Sequence, residues 1–321
     1  MLLQSSNGQP RSIYFGDRLQ NCNVQHRYDM FLLKHCVFPA LFLFVSLIFI
    51  STLSGCATAN GVSKPIKELN DGSETVCSQE DYVNRVSAAD HCLAIDIYTS
   101  PARTINPTLI TFVHGDSLNT KGQKYINAFL RAYPDAHEED FIFIAITRPG
   151  YSNGRETSTG QHYYYEGDAY RAHTVMAVSE AILKLKEHYN AGQLVVMGHS
   201  GGANILANGL GYNEAFKPDT AILLSGSYYL EKWAKHRDLY RWYQGRGLSP
   251  HEHIESISED VEIIALTGEN DENTLPEFAR DYVEQLSSAG KNATFTEIRN
   301  AGHDDIFRSV DMWNLLKDKL F

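Results

Sequence analysis

Short apolar runs alternate with longer amphipathic stretches along the chain from about residue 93 onwards. The runs are rich in apolar and β-branched residues and end at turn residues, which is typical of buried strands. They cover residues 93–98, 108–113, 141–147, 193–197, 219–224, 261–267 and 293–298. Strands that alternate with helices predict an α/β fold, with a mostly parallel central sheet and helices on both faces.

The stretches between these strands carry apolar residues at helical spacing. Residues 167–190 contain a stripe that recurs every three or four positions, which predicts a helix with one buried face. The stripe consists of Val175, Val178, Ile182, Leu185 and Tyr189. A later helix is predicted to begin with Thr274 as its cap and to end at Gly290.

A last helix is predicted over residues 306–320, near the C-terminus. Asp304 and Asp305 come directly before it, and aspartate is a favoured residue at helix N-caps. We therefore expect these two residues to cap the last helix.

Residues 198–202 read Gly-His-Ser-Gly-Gly and lie between a predicted strand and a run of small residues that predicts a helix. A G-x-S-x-G motif in this setting is typical of a nucleophile elbow, a sharp turn that strains the serine backbone and exposes its hydroxyl. The positions two before and two after the serine come too close together for side chains, and both are glycine. Ser200 is therefore the candidate nucleophile.

Two polar residues follow predicted strands downstream of Ser200. Asp271 comes shortly after the sixth predicted strand, and His303 comes shortly after the seventh. A serine hydroxyl becomes a good nucleophile when an imidazole takes its proton and a carboxylate orients that imidazole. We therefore expect Asp271 as the acid and His303 as the base, with Glu269 as the alternative acid.

These motifs resemble those of the α/β-hydrolase superfamily, from about Leu93 to the C-terminus. The resembling segments are 114–115 (His-Gly), 148–152 (Arg-Pro-Gly-Tyr-Ser), 198–202, 268–271 (Gly-Glu-Asn-Asp) and 302–303 (Gly-His). The resemblance implies the α/β-hydrolase fold and a serine hydrolase mechanism on esters, amides or thioesters. It does not name a substrate, because one fold hosts many activities.

An oxyanion hole is implied by the same resemblance. One backbone N–H comes from the residue after the nucleophile, Gly201, and the other from the loop after the second predicted strand. In that loop Asp116 is the candidate donor and Gly115 the alternative, while His114 is expected to support the loop. The loop differs from the glycine-rich loop of many lipases, which disfavours a lipase of that type.

We expect a small-molecule or acyl substrate, with a carboxylic ester first, cleaved through an acyl-enzyme. Peptidase, thioesterase or acyltransferase activity would use the same residues. A binding lipoprotein that has lost turnover is an alternative from a different class.

Two segments are candidates for the substrate pocket. Residues 225–260 form an insertion rich in aromatic residues, which we interpret as a small cap over the site, with Tyr228 as a lining residue. Arg148 and Tyr151 follow a predicted strand and should border the site. The alternatives are packing within the cap for Tyr228 and an internal salt bridge for Arg148.

Residues 37–53 are nearly all apolar and lead into Leu-Ser-Gly-Cys at 53–56. This resembles a bacterial lipobox, in which cleavage before the cysteine leaves Cys56 to carry lipid that holds a soluble domain on a membrane. The resemblance implies a lipoprotein signal peptide at 30–55 and a lipid-anchored protein of the bacterial cell envelope. Ala57 favours the outer membrane, facing the periplasm. A single transmembrane helix or an ordinary secretory signal are the alternatives.

The lipoprotein signal at 30–55 also determines how we interpret the segments before and after it. Translation from Met30 would give a signal of ordinary length, so residues 1–29 are interpreted as a start-site misassignment or an extra N-terminal region. Residues 57–75 are polar and predict a flexible tether, and residues 76–321 form the expected α/β-hydrolase domain.

Besides Cys56, the expected mature chain has two cysteines, Cys77 and Cys92. In an oxidising periplasm we expect them to form a disulfide, whose loop closure would stabilise the fold by about 3 kcal/mol. Two free buried thiols are the alternative.

The net charge of −11 and the absence of a basic run disfavour nucleic-acid binding. The sequence has no phosphate-binding loop, no dinucleotide fingerprint and no His/Cys metal spacing. We therefore expect no metal and no cofactor, and nothing in the sequence indicates an oligomeric state.

Overall fold

The seven strands expected from the hydrophobic pattern form one sheet together with an eighth. The computed structural model describes residues 77, 80–102, 105–116, 121–160, 169–240 and 247–321. These residues belong to a unit that spans Pro65–Phe321. The expected signal peptide at 30–55, the lipid site Cys56 and the tether at 57–75 lie outside the described residues.

The described residues contain eight strands and six α-helices. The strands are β1 (Arg85–Ala88), β2 (His91–Thr99), β3 (Thr108–Val113), β4 (Phe141–Ile146), β5 (Gln193–His199), β6 (Thr220–Leu224), β7 (Glu262–Gly268) and β8 (Ala293–Ile298). The helices are α1 (Gly122–Ala132), α2 (Ala172–His188), α3 (Gly201–Tyr212), α4 (Leu230–His236), α5 (Pro276–Ser288) and α6 (Val310–Leu320).

The strands are ordered β1-β2-β4-β3-β5-β6-β7-β8 across the sheet. β1 pairs with β2 and β2 pairs with β4 in antiparallel orientation. The other six strands, β4, β3, β5, β6, β7 and β8, pair in parallel. The chain moves from β3 to one side for β4 and returns to the other side for β5. Open α/β sheets bind their ligands at such a reversal of strand order, so the loops after β3 and β5 are placed where a site is expected.

Alternate residues of the central strands face two separate apolar layers. On one face, Leu109 and Val113 of β3 pack with residues of α2, α3 and α5. On the other face, Ile110 and Phe112 pack with residues of α1 and α6. Because helices cover both faces, the strands are apolar along nearly their whole length, and this is the predicted α/β-hydrolase architecture.

One strand and two helix starts differ from the sequence-based expectation. β1 has the sequence Arg-Val-Ser-Ala, too short to give an apolar run, and it forms by hairpin pairing with β2. α5 begins at Pro276 with Leu275 as its N-cap, so Thr274 is not its cap. Thr274 instead directs its hydroxyl to Asp271, because the loop before α5 folds back on that carboxylate.

The last helix also begins later than expected. α6 begins at Val310, and its cap is Ser309, whose hydroxyl accepts the Met312 N–H at 3.3 Å. Asp304 and Asp305 lie one turn earlier, at the start of a 3₁₀ turn, so they are not the caps of α6.

The described part of the insertion at 225–260 contains α4 and two short 3₁₀ turns, Pro250–Glu252 and Ile254–Ser256. The Cα atoms of Cys77 and Cys92 lie 5.0 Å apart, a separation that allows the expected disulfide. None of the helices in the described ranges combines the length and the apolar character needed to cross a membrane.

Candidate active site

Ser200 lies on a sharp turn between β5 and α3. Its φ of 54° and ψ of −119° place it in the strained backbone conformation that the motif predicts. A Cβ on Gly202 would lie 2.0 Å from the Val113 carbonyl oxygen, and a Cβ on Gly198 would lie 2.7 Å from the Gly202 carbonyl carbon. Both positions therefore require glycine for the strands and α3 to approach this closely, and the turn holds Ser200 at the end of β5.

His303 lies between Ser200 and Asp271 and contacts both. Its Nε2 is 3.0 Å from Ser200 Oγ, and its Nδ1 is 2.8 Å from Asp271 Oδ2. With a proton on Nδ1, the ring donates to the carboxylate and accepts the serine hydroxyl. This is the geometry of a base in contact with a nucleophile and oriented by an acid.

The buried carboxylate of Asp271 is held by its own loop. Oδ1 accepts the backbone N–H groups of Asn273 at 2.9 Å and Thr274 at 2.8 Å. The Thr274 hydroxyl is 2.9 Å from Oδ2 and also 2.9 Å from the Ser225 carbonyl oxygen. Although burial raises the pKa of the Asp271 carboxyl, the bonds to His303 and Thr274 outweigh burial and lower the pKa below its usual value. Asp271 is therefore ionised at neutral pH.

Glu269, the alternative acid, has a different partner. Its side chain is exposed, and its Oε2 accepts the backbone N–H of Asn300 at 2.9 Å. The acid in hydrogen-bond contact with the His303 ring is Asp271.

His199 fixes the backbone of His303. Its Nε2–H donates to the His303 carbonyl oxygen at 2.9 Å, and its ring packs edge-on against Phe307 with centroids 5.0 Å apart. Burial and the neighbouring His303 ring lower the pKa of His199 to about 4. His199 is therefore neutral at physiological pH and serves as a hydrogen-bond donor.

The loop after β3 lies against Ser200. A Cβ on Gly115 would lie 2.9 Å from Ser200 Cβ, so the loop needs glycine there to come this close. A Cβ on Gly201 would lie 2.7 Å from Asp116 Oδ2. The segments that carry the candidate oxyanion donors, Asp116 or Gly115 and Gly201, are therefore adjacent beside the serine.

His114 and Arg148 fix this loop in place. His114 donates its Nδ1–H to the Gly115 carbonyl oxygen at 2.7 Å and accepts the Arg148 backbone N–H on Nε2 at 3.0 Å. Burial and the nearby Arg148 charge lower the pKa of His114 to about 3, so the ring is neutral. The Arg148 guanidinium donates to the His114 carbonyl oxygen at 3.2 Å.

The Asp116 carboxylate joins three side chains. It forms an ion pair with Arg148 at 2.8 Å, accepts the Tyr151 hydroxyl at 3.2 Å and accepts the Tyr170 hydroxyl. Although burial raises the pKa of the Asp116 carboxyl, Arg148 and Tyr170 lower it below its usual value. Arg148 has no exposed surface, and its pairing with Asp116 is what the internal salt-bridge alternative predicts.

Two tyrosines expected near the pocket are buried. Tyr228 is fully buried and stacks on Tyr282 with ring centroids 4.5 Å apart, and its hydroxyl donates to the Leu223 carbonyl oxygen at 3.3 Å. These contacts correspond to packing within the fold, which was the alternative to Tyr228 lining the substrate pocket. Tyr151 is 4% exposed and contacts the site through Asp116.

Sequence reasoning missed three residues of this site. The Thr274 hydroxyl contacts the Asp271 carboxylate, and the Tyr170 hydroxyl donates to the Asp116 carboxylate. The Asn273 side-chain amide lies 3.0 Å from His303 Nε2. The available signal for Asn273 and Thr274 was their position, two and three residues after the candidate acid. Across the described ranges, no three His, Cys, Asp or Glu side chains are grouped so that they could hold a metal ion.

The sequence model of the prolyl oligopeptidase family matches residues 130–315, which is more than half of the chain. The matched span contains Ser200, Asp271 and His303. No curated protein is significantly similar to the chain in sequence.

Solved structures share the fold at low sequence identity. Pyrococcus horikoshii acylaminoacyl peptidase is 14% identical with a TM-score of 0.54, and the match covers 74% of this chain and 41% of that protein. The Pyrococcus furiosus esterase is 15% identical with a TM-score of 0.57, covering 74% of this chain and 88% of the esterase. Est1E from Butyrivibrio proteoclasticus, with ferulic acid bound, is 13% identical with a TM-score of 0.52, covering 74% and 100%. The chain thus spans about two fifths of the acylaminoacyl peptidases that it matches.

Proposed function

Because the chain belongs to the prolyl oligopeptidase family, we propose that it is a serine hydrolase that cleaves a carboxylic ester through an acyl-enzyme. Ser200 is the nucleophile, His303 the base and Asp271 the acid of a catalytic triad. The observation that carries this proposal is the unbroken line of hydrogen bonds from Ser200 Oγ through His303 to Asp271.

Acylation begins with the Ser200 hydroxyl. Its proton moves to His303 Nε2 while Oγ forms a bond to the carbonyl carbon of the ester. The carbonyl oxygen becomes an oxyanion, and His303 becomes an imidazolium whose charge the Asp271 carboxylate stabilises. As the tetrahedral intermediate collapses, the bond to the alcohol breaks and His303 returns the proton to the leaving alkoxide.

Deacylation repeats these steps with water. His303 takes a proton from water, the resulting oxygen bonds to the acyl carbon, and Ser200 leaves with the proton returned from Nε2. In both halves the backbone N–H groups of Gly201 and Asp116, with Gly115 as the alternative in the loop, bind the oxyanion. Fixed donors of this kind contribute about 3 kcal/mol each to catalysis.

Esters are the first candidate substrate because their alkoxide leaving group depends less on protonation than the amine of an amide does. Peptides are the second candidate, which the family and the acylaminoacyl peptidase neighbours favour. A matched series of p-nitrophenyl esters, thioesters and p-nitroanilides with equal acyl groups separates them. The ester proposal predicts the highest kcat/KM on the esters, and higher kcat/KM on the anilides would contradict it.

The same series of substrates distinguishes hydrolysis from acyl transfer and from binding without catalysis. Ser200→Ala should lower kcat by about a thousandfold or more, whereas turnover that this substitution does not affect would argue against the triad. Acyl transfer predicts that an added alcohol or amine changes the products without changing the rate of acylation. A binding protein predicts no turnover on any member of the series.

We also propose that lipid on Cys56 holds this hydrolase on a bacterial membrane, with the outer membrane facing the periplasm as the favoured location. The lipobox resemblance at 53–56 supports the tether, and the alanine after Cys56 supports the location. A disulfide between Cys77 and Cys92 fits the oxidising compartment that this location provides.

A further inference from the structure

Two donors approach the same nitrogen of His303. Nε2 is 3.0 Å from Ser200 Oγ and also 3.0 Å from the Asn273 side-chain amide nitrogen. Asn273 is half-buried, and its backbone N–H is bonded to Asp271 independently of its side chain. The side-chain amide is therefore an additional contact to the base, separate from the contact that shapes the acid loop.

The chemistry of imidazole makes these two contacts exclusive. The Nδ1 proton faces Asp271 Oδ2, so a neutral His303 presents one lone pair on Nε2. Both the serine O–H and the amide N–H are donors and compete for that lone pair. When Nε2 carries a proton, the amide N–H faces another donor, so this contact is lost.

We propose that Asn273 is a positioning residue that stabilises the neutral form of His303 and shares its Nε2 lone pair with Ser200. This inference rests on the proposed function, since it assigns a role relative to the base of the triad. In the resting site the amide N–H is a donor to the Nε2 lone pair. It also occupies a position at Nε2 that the leaving group of the substrate needs when it receives its proton, so substrate binding displaces it.

The other polar groups around His303 act in different ways. Asp271 accepts from Nδ1 and favours the protonated ring, while neutral His199 donates to the His303 carbonyl oxygen. Asp304 follows directly in the chain and is a second carboxylate. Against these two carboxylates, the Asn273 N–H is a contact that favours the neutral ring.

The rate at which a fluorophosphonate probe labels Ser200, measured against pH on the full chain, tests this proposal without knowledge of the substrate. Asn273→Ala removes the amide and keeps the backbone N–H. Asn270→Ala is the matched control, because it is the same substitution in the same loop at an exposed side chain. Ser200→Ala gives the background.

The proposal predicts two changes in Asn273→Ala relative to both the wild type and the control. The pH of half-maximal labelling rises by about 0.3 unit, because a neutral ring with two equal, exclusive donors is favoured about twofold over a ring with one donor. The alkaline plateau rises about twofold, because two equal donors each hold the lone pair half of the time. A purely structural role predicts a lower plateau at an unchanged midpoint, and that result would overturn the proposal.

Asn273→Asp is a second variant that keeps the shape of the side chain. A carboxylate accepts but does not donate, so the midpoint should rise by more than about one pH unit. An unchanged midpoint would count against the proposal even if Asn273→Ala failed to fold. Failure of the proposed function has a different signature, equal labelling of the wild type and Ser200→Ala at every pH.

Discussion

The hydroxyl of Thr274 lies within hydrogen-bond distance of three polar atoms. They are Asp271 Oδ2 at 2.9 Å, the Ser225 carbonyl oxygen at 2.9 Å and His303 Nδ1 at 3.1 Å. A hydroxyl has one proton, so it donates to one of the two oxygens at a time. Thr274 thus links the acid of the proposed triad to the end of β6.

Thr274→Val tests this contact with little change in shape. Loss of a hydrogen bond to a charged acceptor costs about 1.5–3 kcal/mol, so kcat/KM on an activated ester should fall about tenfold or more. Thr274→Ser restores the hydroxyl and should recover most of the activity. Equal kcat/KM for Thr274→Val and the wild type would show that the hydroxyl does not support the acid.

The sequence predicts single residues best where they follow strands. Ser200, Asp271 and His303 lie at the ends of strands, and apolar runs locate those ends. Thr274 was assigned to a helix cap because local spacing alone cannot show that its loop folds back on Asp271. The Asn273 contact could not be predicted either, since it depends on how the loops after β7 and β8 meet in space.

At the scale of elements, one ion pair ties the loop after β3 to the loop after β4. Arg148 is fully buried, and its partner Asp116 keeps about one third of its side chain exposed at 34%. The pair and the two tyrosine hydroxyls hold the loop that carries the candidate oxyanion donor. The short β1 also depends on a contact between elements, its pairing with β2. The late start of α6 is instead set locally by Ser309, which caps the helix.

Arg148→Met should destabilise the fold, because it leaves a partly exposed carboxylate without its fully buried cation. Breaking a fully buried pair from one side costs roughly 3–5 kcal/mol. Because Asp116 is partly exposed to solvent, we expect a smaller loss of about 2 kcal/mol in the free energy of unfolding, measured in urea. Adding Asp116→Asn should recover part of the loss, since the unpaired charge is then removed. A double variant whose loss equals the sum of both single losses would contradict the coupling.

The two buried histidines of the site loops predict a loss of stability in mild acid. Folded pKa values of about 4 for His199 and about 3 for His114 lie below the unfolded value of about 6.5. Above the unfolded value both states are neutral and these residues have no effect. As pH falls below about 6.5, the unfolded chain binds protons that the folded chain does not, so stability falls by up to about 1.4 kcal/mol per pH unit for each histidine.

Urea unfolding as a function of pH measures this effect. His199→Gln removes one of the two groups and should reduce the slope of the free energy of unfolding against pH between about pH 6 and pH 4.5. The same slope in the variant and the wild type would rule out a contribution from His199.

At the scale of the whole molecule, the proposed lipid on Cys56 determines where the protein is found, and the candidate active site determines its reaction. Cys56 lies outside the described residues, and the hydrolase site is built from residues 114 to 303. Since Cys56 is not one of the residues proposed to act on the substrate, we expect loss of the lipid to change where the protein is found and to leave the activity of the site unchanged.

Cys56→Ser should abolish incorporation of radiolabelled palmitate into the protein made in bacterial cells, because Cys56 is the residue proposed to carry the acyl chains. Its kcat on a soluble ester should stay within about twofold of the wild type, since Cys56 is not one of the residues proposed to act on the substrate. Incorporation of palmitate into the variant at the wild-type level would contradict lipid attachment at Cys56.

The central claim is that Ser200 is a nucleophile activated by His303, and mass spectrometry after fluorophosphonate treatment of the full chain tests it most directly. We predict one adduct on Ser200, no adduct on Ser200→Ala, and labelling slowed at least about a hundredfold in His303→Ala, because the serine then lacks its base. No adduct on the wild type, or an equal adduct on Ser200→Ala, would contradict the account.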